Sequence, residues 1–98
     1  MEIRFSREAR EFLENQVDYL NSINPQASQR VFKRISLAVE RLKDNPYSGK
    51  QSFIKNIREI IESKYNFKIL YSVDGNVIYI ASIFNTRMDA EKIYKSLE

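Results

Sequence analysis

Apolar and polar residues alternate at period two from Glu2 to Phe5, with Ile3 and Phe5 opposite Glu2 and Arg4, which predicts a short opening strand. After Ser6 the period changes. Ala9, Phe12, Leu13, Val17, Leu20 and Ile23 recur near one side of a helix while Glu11, Glu14 and Asp18 fall on the other, so residues 7 to 23 read as an amphipathic helix with Ser6 as its N-cap. Asn24-Pro25 then offers a cap followed by proline at the first helical position, where a missing N–H costs nothing. It predicts a second helix from Pro25 to Lys43, with an apolar stripe of Val31, Ile35, Ala38, Val39 and Leu42. Two helices joined so tightly must pack as an antiparallel hairpin.

Turn formers concentrate from Asp44 to Lys50, and beyond them the pattern becomes that of strands. Ile57 to Ile61 and Asn66 to Val73 alternate, Asp74-Gly75 supplies a tight hairpin turn, and Val77 to Phe84 is apolar on both faces. A strand apolar on both faces belongs in the interior of a sheet, with the helical hairpin on one side and the opening strand beside it. Ala90, Ile93, Tyr94 and Leu97 return to helical spacing, with Thr86 and Asp89 in a capping-box relation, predicting a short C-terminal helix. The expected fold class is α+β, a small antiparallel-rich sheet packed by an N-terminal helical hairpin in the order β-α-α-β-β-β with a short C-terminal helix. Its length allows one domain over residues 1–98.

Composition narrows the function classes. Hydrophobic residues at 43% with only two Gly and two Pro exclude a disordered or low-complexity chain. With no Cys and no His there is no disulfide framework, and the usual zinc and haem ligands are missing, so no metal and no cofactor is expected. The opening Met1-Glu2-Ile3-Arg4-Phe5 lacks a secretory apolar run and no segment approaches a bilayer span, which gives a cytoplasmic expectation with no membrane contact. The net charge of +3 is unevenly spread. Arg30, Lys33, Arg34, Arg41, Lys43, Lys50, Lys55 and Arg58 face only Glu40 and Asp44 between residues 26 and 58, the footprint of contact with phosphates or an acidic protein.

Within that basic middle, Arg30, Arg34 and Arg41 fall within roughly 40° of one another around the second helix, with Lys33 one step away. Such a line is either a solvated surface or a face for an acidic antagonist or nucleic acid. A second set, Lys55, Arg58, Lys64, Lys68 and Arg87, is interleaved with Tyr47, Phe53, Tyr65, Tyr71 and Tyr79, and aromatics that stack with cations that hold phosphates suit single-stranded RNA. Tyr71 and Tyr79 are in register with core positions and read as half-buried packing residues. RNA cleavage through the 2′-hydroxyl needs a proton acceptor and a proton donor as well as a cation, and without His a lysine or tyrosine must take those roles. Glu59, Glu62, Asp89 and Glu91 read as solvated acids, and two glycines cannot make a phosphate loop.

The order of strand, helical hairpin, Asn45-Pro46-Tyr47-Ser48-Gly49-Lys50, Ile57-Arg58-Glu59, Tyr65-Asn66-Phe67-Lys68-Ile69-Leu70-Tyr71 and Ile83-Phe84-Asn85-Thr86-Arg87 resembles the RelE/ParE family of toxins from toxin–antitoxin modules, over nearly the whole chain. That resemblance implies a growth-inhibiting toxin neutralised by a cognate antitoxin. Its ParE branch implies inhibition of DNA gyrase by contact, and the amphipathic hairpin and the 46–50 loop look more like that branch. The antitoxin- or target-binding residues would then be Arg30, Lys33, Arg34, Arg41 and Lys50. Its RelE branch implies a ribosome-dependent mRNA endonuclease, with Lys55, Arg58, Arg87 and Tyr94 as the catalytic set. Several nuclease members carry a histidine where Asn85 or Thr86 stands here.

Overall fold

The computed structural model describes residues 1–86. They open with β1 (Glu2–Phe5), continue through the hairpin of α1 (Arg7–Ile23) and α2 (Pro25–Asp44), and go on to β2 (Lys50–Gln51), β3 (Arg58–Glu62), β4 (Phe67–Asp74) and β5 (Val77–Asn85). The strands form one sheet in the order β1-β5-β4-β3-β2. β1 runs parallel to β5 and every other pairing is antiparallel. The predicted C-terminal helix lies outside the described residues.

Local chemistry sets the helix ends. Ser6 stays extended and its Oγ accepts from the Ala9 N–H at 3.0 Å, starting α1. Asn24 closes α1, its N–H donating to the Leu20 carbonyl, and opens α2, its Oδ1 accepting from Gln26 and Ala27 before the helical turn would otherwise satisfy them. Pro25 sits where its missing N–H is an orphan in any case.

The hairpin packs on one face of the sheet. Val31, Ile35, Val39 and Leu42 from α2 and Ala9 from α1 meet Phe67, Ile69 and Tyr71 of β4 and Ile78, Ile80 and Ile83 of β5 in one buried cluster. Phe12 of α1 meets Phe67 edge to face, with ring centroids 6.0 Å apart. Ile80 and Ile83 both reach the hairpin side because the ladder shifts register at Leu70/Tyr71: Leu70 pairs with Ser82 and Tyr71 with Ile80, leaving Ala81 as an extra residue. Ser6 meets that bulge, its Oγ donating to the Ala81 carbonyl at 2.8 Å.

Four expectations require correction. The β4–β5 turn is Gly75-Asn76 rather than Asp74-Gly75, since Asp74 still pairs with Val77, and Gly75 at φ +57° takes the positive angle at the first turn position. The 44–50 loop ends in a strand the sequence pattern did not predict, because Lys50 and Gln51 pair with Glu59 and Arg58. Ile23 lies exposed at the tip of the hairpin. Glu62 is buried rather than solvated, and Glu59 lies largely covered, 3.6 Å from the Lys68 ammonium.

Candidate functional site

The loop between α2 and β3 carries most of the predicted cations, and its shape is fixed from beneath by two side chains. Arg58 and Tyr71 stand opposite each other on β3 and β4. The Tyr71 hydroxyl donates to the Pro46 carbonyl at 2.8 Å and accepts from the Gly49 N–H at 2.9 Å. Arg58 Nη1 donates to the carbonyls of Gly49 at 2.8 Å and Tyr47 at 3.3 Å, and its guanidinium lies 5.1 Å from the centroid of the Tyr47 ring. Residues 46 to 49 are therefore held by a clasp of one arginine and one tyrosine. Tyr71, expected half-buried, is fully buried as part of it.

The second half of the loop closes on itself. The Gln51 side-chain amide lies within 3.1 Å of the carbonyls of Ser52, Ile54 and Ile57, Ser52 Oγ lies 2.7 Å from the Ile57 carbonyl, and the Ser52 N–H donates to the same carbonyl at 2.9 Å. Asn56 takes a positive φ of 68°, which asparagine tolerates better than other side chains. Ile54 and Ile57 pack on Leu70 and Phe84, a second apolar cluster separate from the one under the hairpin. So anchored, the loop turns Tyr47, Lys50, Phe53 and Lys55 to solvent.

The structure thus brings Lys50, Lys55 and Arg58 onto one loop surface, with Arg58 engaged as a support. Arg87 and Tyr94, which complete the nuclease set of the RelE branch, lie outside the described residues. Arg30, Lys33, Arg34 and Arg41 line the exposed side of α2. Arg34 is committed there: its Nε lies 3.1 Å from Glu62 Oε1 and ties α2 to β3. Burial pushes the Glu62 carboxyl up, but the N–H groups of Tyr65 and Lys64 at 2.9 and 3.0 Å and the Arg34 guanidinium outweigh it and hold the group below the usual carboxylate range.

Sequence reasoning missed one feature altogether. Between the hairpin and β1 lies an open apolar groove of about 780 Å³, floored by Ile3, Leu13, Val17, Ile35 and Val39, flanked by Phe5 and Phe32, and rimmed by Arg10, Glu14, Asp18, Glu40 and Lys43. Phe32 is the available signal. It stands off the α2 stripe and is half exposed, an apolar residue on a face that nothing among the described residues covers. Among the described residues no group of acidic side chains gathers to hold a metal, and no helix is long and apolar enough to cross a membrane.

Comparison with known proteins places this geometry. The family profile described as ParE toxin of type II toxin-antitoxin system, parDE, matches residues 3–90. A candidate toxin of Sinorhizobium fredii, Y4kP, is 32% identical over 75 residues, covering 76% of this chain and 78% of that protein. Among solved structures, the chromosomal ParDE system of P. aeruginosa superposes with a TM-score of 0.75 at 23% identity, covering 87% of this chain and 95% of that one. The toxin of the intact E. coli RelBE complex follows at 0.61 and 11% identity, covering 89% and 98%. The two-helix, mixed-sheet architecture is the one those toxins share. The chain belongs to the ParE toxin family of type II toxin–antitoxin systems.

Proposed function

We propose that this ParE-type toxin arrests growth by binding DNA gyrase in the cytoplasm, and that a cognate antitoxin silences it. The observation that carries the reading is the use made of Arg58. Its Nη1 donates to two loop carbonyls and its guanidinium lies over one aromatic ring, which suits a residue that shapes a contact surface. The loop it supports displays Tyr47 and Phe53, aromatic anchors of the kind protein contacts favour, beside Lys50 and Lys55. A solved relative is a ParDE system and another is a RelBE toxin–antitoxin complex, which supports an antitoxin partner here. The apolar groove beside β1 is the natural seat for an amphipathic antitoxin segment.

Purified chain added in excess to gyrase should inhibit supercoiling while leaving message on translating ribosomes intact, and its antitoxin should reverse the inhibition. Unchanged supercoiling together with cut message would replace this reading by the RelE-type one. In that case Lys55, Arg58 and Arg87 become the phosphate-holding set, and Arg87→Ala abolishes cleavage.

A further inference from the structure

α2 has two flanks beside its buried stripe, and the groove takes one of them, through Phe32, Ser36 and Lys43. Arg30, Arg34 and Arg41 run along the opposite flank, with Lys33 one step round, all exposed and spread over about 16 Å of helix. From Arg30 to Arg41 the helix holds a single acid, Glu40, which lies 3.2 Å from the Lys43 ammonium. Arg30, Lys33 and Arg41 pair with no carboxylate among the described residues. Neither the loop surface nor the proposed antitoxin seat uses this line of cations.

Arg34 is the fixed member of the line. Its Nε donates to Oε1 of the buried Glu62, whose carboxylate also accepts from the Lys64 and Tyr65 N–H groups, while its Nη nitrogens donate to nothing among the described residues. A guanidinium held from behind in this way presents its outer donors, already oriented, to an oxyanion. Arg34 and Arg41 also line a small polar depression of about 90 Å³, shared with Glu62 and Ser63, in which one phosphate group has room. Ile61 borders it through its backbone, since its neighbour Ile60 packs under the hairpin and strand alternation turns the Ile61 side chain to the other face of the sheet.

We propose that this flank of α2 lies along the phosphate backbone of duplex DNA, with one phosphate seated between Arg34 and Arg41. The choice of DNA rests on the gyrase reading, since a toxin held on gyrase stands beside the duplex that the enzyme handles. Interfaces with nucleic acid are polar and strongly positive, whereas protein contacts are centred on apolar or aromatic anchors. Leu37 is the one large apolar side chain exposed on this flank, and no aromatic accompanies it. An acidic protein therefore finds no anchor here, and a single strand finds no platform on which to stack its bases. A duplex hides its bases and, at one charge per about 1.7 Å, offers about ten phosphates over the length of the line.

The test contains no gyrase, so its failure is distinct from a failure of the gyrase reading, which the supercoiling assay decides. The whole chain is titrated against a short fluorescent DNA duplex by anisotropy at a series of salt concentrations. The logarithm of the binding constant should fall with the logarithm of salt at a slope of about −3 to −4, four phosphate contacts at about 0.9 each. Arg30→Ala and Arg41→Ala, both at exposed positions, should each weaken binding several-fold at low salt and flatten the slope by about one. Arg7→Ala removes the same charge from the exposed start of α1 and should leave affinity and slope as they are. Absence of binding at low salt, equal losses in Arg7→Ala and Arg41→Ala, oligoglutamate displacing the duplex at a lower concentration of charge, or tighter binding of an RNA duplex of the same sequence would overturn the proposal.

Discussion

At Gly49 a hydrogen stands where any other residue would press a methyl group into Tyr71. An added Cβ would lie 2.8 Å from Cε1 and 2.9 Å from Cζ of a ring that is fully buried and cannot retreat. Gly49→Ala should therefore destabilise the fold by about 1–3 kcal/mol, read from the urea midpoint, the usual range for overpacking. Tyr71→Phe keeps the ring but leaves the buried Gly49 N–H unpaired, and should cost about 1–3 kcal/mol by the same measurement. Glu62 gives a prediction in pH. Its folded carboxyl is held below the ordinary value, so the stability it contributes is fully present above the unfolded glutamate pKa of about 4.3 and is lost as pH falls through the lower folded value. Thermal melts followed downward from about pH 6 should fall more steeply in this acid range for the native chain than for Glu62→Gln.

The same local chemistry explains which elements were legible. Both helix starts could be read directly, because an N-cap and an N1 proline act within a few residues of where they stand. Ser6 nevertheless does more than its spacing reveals. It caps α1 and donates to the carbonyl of the bulged Ala81, so its loss removes a helix cap and a tie to β5 together. Ser6→Ala should lower stability by about 2 kcal/mol, and Asn24→Ala, an exposed cap, by about 1 kcal/mol, compared by chemical denaturation. β2 could not be read, since a two-residue strand has no period and exists only because β3 lies beside it. The burial of Glu62 was hidden for a related reason: its partners Arg34, Lys64 and Tyr65 converge only once α2 lies along β3. The one-residue slip of the β4–β5 turn follows from Asp74, whose turn propensity yields to its pairing with Val77.

At the scale of the molecule, the two periods in the sequence were enough for a helical hairpin on a sheet, because each apolar face needs only one kind of cover. Which part of a face stays bare was not written in any window. Leu13 and Val17 were correctly assigned to the apolar side of α1, yet the angle at which the hairpin meets β1 leaves them in an open groove. Because Phe32 on its flank is already half exposed, Phe32→Asp should change folding stability by less than about 0.5 kcal/mol. The same variant should weaken the complex with the cognate antitoxin markedly in a titration, and unchanged affinity would remove the groove as the antitoxin's seat. For the candidate site, the sequence supplied the cations and aromatics of the loop but not their division of labour. Arg58, expected to hold phosphate if the RelE-type reading applies, also braces the loop backbone, which its place in the sequence did not reveal.

The parallel pairing of β1 with β5 has a consequence for how the toxin comes into being. Residues 2–5 are made well before residues 77–80, the partners that seat them. During translation β1 must wait for β5 until nearly all of the described residues have emerged, whereas the hairpin of α1 and α2 can form from neighbours alone. A product cut short before Val77 lacks β5, so β1 has no partner and the hairpin loses Ile78, Ile80 and Ile83 from the floor beneath it, which should expose that product to proteolysis.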